Sequence, residues 1–239
     1  MQLERLLQSQ GFGSRKTCRL HVEAGDVRVN GVPCRDPQAE FDTAGLTFEI
    51  DGEMWTYAEH VYLALYKPAG FECTHQPQHH RSVYALLPPP LVRRGVQSVG
   101  RLDADTTGLL LFSDDGRFIH AMASPKRRVA KHYRATLKHP FDDTLPKQLL
   151  AGVLLTGESA PLAALSAQQI DTRTLTLSID QGKYHQVKRM VAAAGNRVEA
   201  LHRAGFDALS LEDGSLPALT PGDCCRLDEN HLALLGYRR

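Results

Sequence analysis

Hydrophobic residues at the start of the chain recur at helical spacing. Leu3, Leu6 and Leu7 fall on one face of a predicted first helix, which a Gly-Phe-Gly break ends. Ser14 is a suitable N-cap for a second helix, and Gly25 is suited to end it in a left-handed conformation. The pattern therefore predicts two short, consecutive helices.

The pattern then changes to the alternation that is typical of strands. Residues 27–29 alternate as Val-Arg-Val, and Asn30-Gly31 supplies a tight hairpin turn before the chain returns. A β-rich run further along the chain opens a new domain. We therefore predict a small N-terminal module at residues 1–55 and a second domain at residues 60–239.

The second domain mixes strand-like and helix-like segments. Strands are predicted at residues 61–66, 132–138, 163–170 and 173–180. Helices are predicted at residues 115–123, 142–151 and 184–195, and loops at residues 74–81 and 88–90. Because these segments do not follow a regular βαβ spacing, an α+β fold is favoured over a doubly wound one.

Composition narrows the class of protein. The 239 residues carry a net charge of +1 and contain no run of 18 apolar residues, so no membrane span is expected. The first residues lack the basic start and apolar core of a signal peptide, which predicts a cytoplasmic protein. The five cysteines are scattered and form no Cys-x-x-Cys pair, which favours reduced thiols over a zinc site or disulfides.

Basic side chains are concentrated in two segments. Residues 126–134 carry five Lys or Arg residues and no acid, and residues 183–203 carry five against the single Glu199. Clusters of this kind suit a polyanion held on one face, although either cluster alone is also typical of an ordinary solvated surface. No carboxylate or cysteine joins the three histidines of the loop at 74–81 at ligand spacing, so we interpret them as loop residues or as residues that face the polyanion, rather than as metal ligands.

The most informative motif is Gly-Arg-Leu-Asp-Ala-Asp-Thr-Thr-Gly at residues 100–108, which leads directly into an apolar strand. It places Asp103 two residues from Arg101 in a loop that a strand and a glycine fix. A lone Arg-x-Asp is usually only a polar loop, but this longer string occurs together with two other segments. These are Lys-His-Tyr-Arg at residues 131–134 and Gly-Lys-Tyr-His-Gln-Val-Lys-Arg-Met at residues 182–190.

Together the three segments closely resemble those of the pseudouridine synthases that modify ribosomal RNA, in particular the RsuA-like branch. A Lys-Pro-x-Gly string after the strand at residues 61–66 resembles the opening of the same catalytic domain. Residues 1–45 resemble the α-L RNA-binding module found in ribosomal protein S-four. The resemblance implies a catalytic domain built on a long, mostly antiparallel mixed sheet flanked by helices.

The resemblance also implies roles for individual residues. Asp103 matches the family's catalytic carboxylate, which either attacks the ribose or removes a proton from it; the sequence leaves both possibilities open. Lys188 is the expected cation that keeps this acid ionised, with a surface phosphate contact as the alternative. Tyr133 is expected to stack on the uracil, and Ile179 to form an apolar floor; each also has a purely structural interpretation. Asp105 does not match the catalytic position.

RNA contacts are expected from residues around this centre and from the N-terminal module. Arg101 is the candidate to occupy the space that a flipped-out base leaves. The other predicted RNA-binding residues are Lys183, His185, Gln186, Arg15, Lys16 and Arg19. Lys183 stands where the family more often has Arg, and His132 where it has a smaller polar residue; we assign His132 no role.

The reaction implied is an isomerisation, which needs no redox cofactor, nucleotide or metal, so none is expected. The expected partner is ribosomal RNA or a ribosomal subunit assembly intermediate, bound by a monomer away from membranes. The small-subunit enzymes are the closest match, and the large-subunit enzymes share all three segments. A non-catalytic RNA-binding or ribosome-assembly protein is the rival interpretation, which a neutral residue at position 103 would have favoured.

Overall fold

The computed structural model describes residues 1–238, which divide into two compact units. The smaller unit contains residues 1–61 together with 87–97, and the larger contains 62–86 together with 98–238. The sequence predicts a single boundary between residues 55 and 60. The chain instead leaves the smaller unit near that point and re-enters it for the segment 87–97.

The smaller unit consists of helices on a four-stranded sheet. Its helices are α1 (Leu3–Ser9), α2 (Arg15–Ala24) and α3 (Pro89–Arg93). Its strands are β1 (Val27–Val29), β2 (Val32–Pro33), β3 (Thr47–Ile50) and β4 (Glu53–Thr56), in the order β2-β1-β3-β4. Ser14 caps α2 by accepting a hydrogen bond from the Thr17 N–H, and Gly25 ends it in the left-handed conformation. Both predicted helices and the hairpin are confirmed.

The prolines at residues 88–90 do not form the predicted loop. Pro89 begins α3 instead, at the helix position where proline's missing N–H costs nothing and its fixed φ is already helical. Pro90 and Leu91 are buried within the unit, and the Arg93 Nε donates a hydrogen bond of 2.7 Å to the Gly11 carbonyl. Burial of these side chains explains why a proline-rich segment is helical here.

The larger unit contains most of the regular structure. Its strands are β5 (Tyr62–Lys67), β6 (Phe71–Glu72), β7 (Arg81–Ser82), β9 (Thr107–Ser113), β10 (Lys131–Leu137), β11 (Ser166–Gln169), β12 (Thr174–Ile179), β13 (Val198–Phe206), β14 (Leu209–Ser210) and β15 (Cys224–Arg226), with β8 (Gln97–Ser98) where the chain re-enters this unit. Its helices are α4 (Gly116–Ala123), α5 (Thr144–Ala151), α6 (Gln186–Ala193) and α7 (Glu229–Leu234). Short 3₁₀ turns lie at Val83–Leu86 and Pro125–Arg127. No described helix is long and apolar enough to cross a membrane.

The main sheet runs in the order β11-β12-β10-β13-β9-β5-β15. Along this path every neighbouring pair is antiparallel except β13 with β9, so the fold is α+β with a long, mostly antiparallel sheet, as predicted. Helices α4 and α7 cover β5 and β9 with one apolar core, and α5 and α6 cover β10 and β12 with another. The site described below draws on the strands of both regions.

The parallel pair requires a glycine at position 108. Gly108 has φ of +108°, and a Cβ atom there would lie 2.2 Å from the Arg203 carbonyl oxygen. No side chain fits this close approach of the two backbones. The glycine therefore anchors the end of the preceding loop directly against β13.

Candidate active site

A cavity of about 360 Å³ opens in the larger unit and is lined by residues of all three motif segments. Asp103 comes from the loop before β9, Tyr133 from β10, and Lys188 from α6. Its size is that of a pocket for one small organic group such as a nucleoside. We call it the Asp103 cavity.

The backbone of the loop that carries Asp103 is hydrogen-bonded to a buried lysine. Lys67 is fully buried, and its ammonium donates hydrogen bonds of 2.8–3.2 Å to the carbonyls of Pro68, Asp103, Ala104 and Thr106. Burial lowers the pKa of Lys67, but these carbonyl oxygens compensate for the lost water. This contact fixes the backbone of Asp103 without using its carboxylate.

The Asp103 carboxylate faces the ammonium of Lys188. The Lys188 Nζ lies 3.0 Å from Asp103 and 2.7 Å from Asp105. Burial opposes the charge on Lys188, but the hydrogen bonds with Asp105 and Asp103 outweigh it and raise the pKa of the lysine. The same hydrogen bond outweighs burial at Asp105 and lowers the pKa of that carboxyl. The predicted pairing of Lys188 with Asp103 is therefore present in the geometry, with Asp105 as an unpredicted third member.

A histidine contacts the other oxygen of the same carboxylate. The His185 Nε2 lies 3.1 Å from Asp103 Oδ1, and its ring stacks on Tyr184 with centroids 3.8 Å apart. His185 has φ of +47°, a conformation that costs a non-glycine residue of the order of 1 kcal/mol or more. The turn is stabilised by the buried Gln186, whose side-chain oxygen accepts a hydrogen bond of 3.0 Å from the Lys183 N–H. Gln186 thus shapes the turn, whereas the sequence suggests an RNA contact.

Tyr133 and Ile179 lie on adjacent strands in the wall of the cavity. Tyr133 pairs with Arg203 of β13 across the sheet, and Ile179 pairs with Lys131 of β10. Ile179 is 2% exposed, and Tyr133 is partly exposed and makes no hydrogen bond through its hydroxyl within residues 1–238. An aromatic ring and an apolar side chain thus border the space in front of Asp103.

Two predicted RNA-binding residues lie at the rim of the Asp103 cavity. Arg101 is exposed and has no ion pair with any described residue. Lys183 is also exposed, but its Nζ lies 3.1 Å from the carboxylate of Glu158. Arg101 is therefore the freer of the two cations.

The three basic residues predicted on α2 have different environments. Arg15 and Arg19 both bind Glu4, whose side chain is fully buried in the smaller unit. The hydrogen bond from Arg19 holds the pKa of Glu4 below its ordinary value. Lys16 is exposed and has no such partner within the described chain. Two of the three cations therefore have a structural partner, and Lys16 does not.

The histidines of the predicted loop belong to its internal structure. His75 stacks on Tyr84 with centroids 3.6 Å apart, and the backbone N–H groups of His79 and His80 bind the Glu72 carboxylate. Within residues 1–238, no group of three or more His, Cys, Asp or Glu side chains is arranged to hold a metal ion. The five cysteines are unpaired.

Sequence reasoning missed three residues of this region. Lys67 lies in the Lys-Pro-x-Gly string and Asp105 in the Asp103 motif, so both belong to segments that carry the family resemblance. Arg203 is only 3% exposed and lines the Asp103 cavity. Nothing in the local pattern distinguishes it from the other cations of the basic segment at residues 183–203.

Comparison with known proteins gives one consistent result. The family model described as RNA pseudouridylate synthase matches residues 61–193. An uncharacterized RNA pseudouridine synthase, YtzG of Bacillus subtilis (strain 168), is 36% identical over 98% of both chains. Ribosomal small subunit pseudouridine synthase A of Pasteurella multocida (strain Pm70) is 36% identical over 89% of this chain and 91% of its own. The protein of the same name from Yersinia pestis is 33% identical over 99% and 98%.

A solved structure agrees over nearly the full length. A crystal structure of a pseudouridylate synthase superposes with a TM-score of 0.68 at 30% identity, covering 98% of this chain and 99% of that one. The matching segments contain the loop of Asp103, the strand of Tyr133 and the helix of Lys188. With relatives this similar and a family model that spans more than half of its residues, the chain belongs to the RNA pseudouridylate synthase family.

Proposed function

We propose that this isomerase, an RNA pseudouridine synthase, converts one uridine of small-subunit ribosomal RNA to pseudouridine with Asp103 as its catalytic carboxylate. The observation that carries the proposal is the Asp103 carboxylate, which faces a nucleoside-sized cavity between Lys188 at 3.0 Å and His185 at 3.1 Å. The relatives named for the small ribosomal subunit support the choice of RNA. Ribosomal RNA of a cytoplasmic subunit or of its assembly intermediate is the expected substrate, and a monomer suffices.

The reaction moves the uracil from N1 to C5 attachment and leaves the composition of the nucleotide unchanged. The N1–C1′ bond breaks, the base turns, and C5 bonds to C1′ while its proton is replaced by one at N1. When the N1–C1′ bond breaks, Asp103 either forms a bond to C1′ or accepts the proton of C2′. Both routes require an ionised carboxylate, which the ammonium of Lys188 stabilises.

The wall residues position the base beside this carboxylate. Tyr133 presents a ring on which uracil stacks, and its free hydroxyl is available for the later removal of the C5 proton. Ile179 supplies an apolar surface that excludes water from the face of the base.

A uridine within folded RNA must leave its stack to reach Asp103, which costs a few kcal/mol. Arg101 lies at the rim of the cavity with no ion pair to any described residue, so its guanidinium is free to fill the vacated position. Lys183 contributes charge for neighbouring phosphates, and Lys16 on α2 provides a separate contact for the same RNA. In this scheme the smaller unit binds RNA and the larger unit carries out the chemistry.

The direct test is to map pseudouridines in the ribosomal RNA of cells with and without this protein. Loss of a single small-subunit pseudouridine, restored by the wild-type gene and not by Asp103→Asn, is the expected result. A lost site in large-subunit RNA would overturn the choice of subunit. An unchanged map would favour a non-catalytic role in ribosome assembly.

A further inference from the structure

Arg203 is a buried cation without an anionic partner. Its Nε donates a hydrogen bond of 2.6 Å to the Leu109 carbonyl, and its guanidinium lies 5.5 Å from the centre of the Phe206 ring. Its Nη2 is buried and has no hydrogen-bond partner within the described residues. Since buried polar groups are almost always satisfied, an orphaned guanidinium N–H in a cavity wall indicates a missing acceptor.

Lys131 forms a second cation of the same wall. Its Nζ lies 5.6 Å from the same Phe206 ring, and burial, followed by the charge of Arg203, lowers its pKa. Neither Lys131 nor Arg203 has an ion pair with any residue from 1 to 238. Three other cations of this region do: Lys188 with Asp103, Lys183 with Glu158, and Arg128 with Asp180. Arg101 has none, but it is exposed at the rim, whereas Arg203 is buried.

A local irregularity of the sheet brings the two cations together. The register of β13 against β10 shifts between His132 and Tyr133, so that Ala204 is an extra residue of β13. Arg203 and Phe206, three positions apart, would face opposite sides of a regular strand. The bulge places both on the cavity side, next to Lys131.

We propose that Arg203 and Lys131 are further catalytic residues, which bind the carbonyl oxygens of the target uracil and stabilise the negative charge that the base acquires on detachment. The proposal rests on the proposed function of the Asp103 cavity. When the N1–C1′ bond breaks, its electron pair stays on uracil N1 and spreads over O2 and O4. The negative charge of Asp103 is consumed in the same step, because its oxygen bonds to C1′ or takes the C2′ proton.

Charge therefore moves from the carboxylate to the base, and the cavity has a cation at each end of that movement. Lys188 lies beside Asp103 in the starting state. Arg203 and Lys131 line the same cavity and form no ion pair with a described carboxylate, so their N–H donors are available to the base when it becomes anionic. Donors fixed in advance at the site of developing charge favour the transition state over the bound substrate.

The test compares two leaving groups in the full-length protein. Small-subunit ribosomal RNA transcripts are prepared with uridine or with 5-fluorouridine, whose electron-withdrawing fluorine makes the detached ring a more stable anion. Single-turnover conversion of the starting nucleoside is measured at saturating RNA for wild type and Arg203→Gln. We expect the variant to lose about 100-fold with uridine and less than about tenfold with 5-fluorouridine, while RNA affinity changes less than threefold.

Lys131→Met is the second variant, because Arg203 also binds the Leu109 carbonyl and its replacement can unfold the sheet. Like Arg203→Gln, Lys131→Met must lose less of its single-turnover rate with 5-fluorouridine than with uridine. Lys147→Gln, which removes an exposed charge of α5 outside the cavity, is the matched control and keeps wild-type rates. Equal losses with both nucleosides, or a loss of affinity alone as a phosphate contact would give, overturn the proposal. If wild type converts neither transcript, the proposed function fails instead.

Discussion

The Nζ atom of Lys188 lies 2.7 Å from a carboxylate oxygen of Asp105, a residue 83 positions earlier in the chain. The same ammonium lies 3.0 Å from Asp103. One cation thus holds two neighbouring carboxylates that would otherwise repel each other. Replacing the three residues separately distinguishes chemistry from positioning.

Asp103→Asn is expected to abolish pseudouridine formation while RNA affinity stays within about threefold. The amide keeps the shape of the side chain but neither attacks the ribose nor accepts its proton. Single-turnover assays and filter binding on the same RNA measure the two quantities. Appreciable turnover by the purified variant, free of wild-type protein, would contradict the role given to Asp103.

Asp105→Asn is expected to retain substantial activity, with a single-turnover rate within about tenfold of wild type, or roughly 1.4 kcal/mol of barrier. Its carboxylate positions Lys188 and need not touch the ribose. The affinity for RNA should be unchanged. If Asp105→Asn were inactive and Asp103→Asn active, the catalytic carboxylate would be Asp105 and not Asp103.

Lys188→Met is expected to lower the single-turnover rate far more than the affinity for RNA, because it leaves two carboxylates without their shared cation. Lys188→Arg keeps the charge and is the matched control, with partial activity expected. The rate is measured at saturating RNA. A normal rate with weakened binding would make Lys188 a phosphate contact.

Stability in acid should depend on Asp115, which does not line the Asp103 cavity. This buried carboxylate accepts hydrogen bonds from Tyr62 and Tyr237 and caps α4. Burial opposes its charge, but the bonds from Tyr237 and Tyr62 prevail and lower its pKa to about 2. A carboxyl whose pKa is lower in the folded state than in the unfolded state stabilises the folded state fully at pH values above its unfolded pKa, near 4. This stabilisation is lost as the pH falls from about 4 through 2.

Asp115→Asn should therefore lower the free energy of unfolding by about 2 kcal/mol at pH 7, and the deficit should shrink towards pH 2. Urea titrations at several pH values measure it. Asp143→Asn is the matched control, because this exposed N-cap aspartate of α5 makes no side-chain cap hydrogen bond. A deficit at Asp115 that did not vary with pH would exclude the charge as its cause.

Lys16→Gln should weaken RNA binding and reduce the slope of its salt dependence by about 0.7–0.9, the contribution of one phosphate contact. Chemistry at saturating RNA should be unchanged. Lys16 is preferred to Arg15 and Arg19, since replacing either arginine also breaks its ion pair with buried Glu4. An unaltered salt slope would show that Lys16 does not contact the RNA.

Local sequence patterns predict the helix ends and the hairpin turn of the N-terminal module, because adjacent residues determine these structures. The Ser14 cap, the Gly25 termination and the Asn30-Gly31 turn each depend on a few adjacent residues. The pairing of Lys188 with Asp103 followed from family resemblance, since no local pattern joins residues 85 positions apart. The prolines at residues 88–90 predict a loop, but Pro89 begins a helix, because burial against residues distant in sequence decides its conformation.

The residues that escaped prediction act through long-range geometry. Lys67 binds backbone carbonyl oxygens of a loop 36–39 residues later. Because every residue carries a carbonyl group, the residue types of the loop do not predict such contacts. Arg203 faces the Asp103 cavity because of a bulge that regular alternation does not anticipate. Long-range backbone contacts and departures from regular strands are the two features that patterns of hydrophobicity and charge do not encode.

The parallel pairing of β9 with β13, through Gly108 and Arg203, has a consequence for synthesis of the chain. It joins segments about 95 residues apart, so the Asp103 cavity is complete only after β13 has been synthesised. All residues of the smaller unit lie at or before position 97. In a nascent chain, every residue of the proposed RNA-binding module has therefore been synthesised before the cavity that holds Asp103 can form.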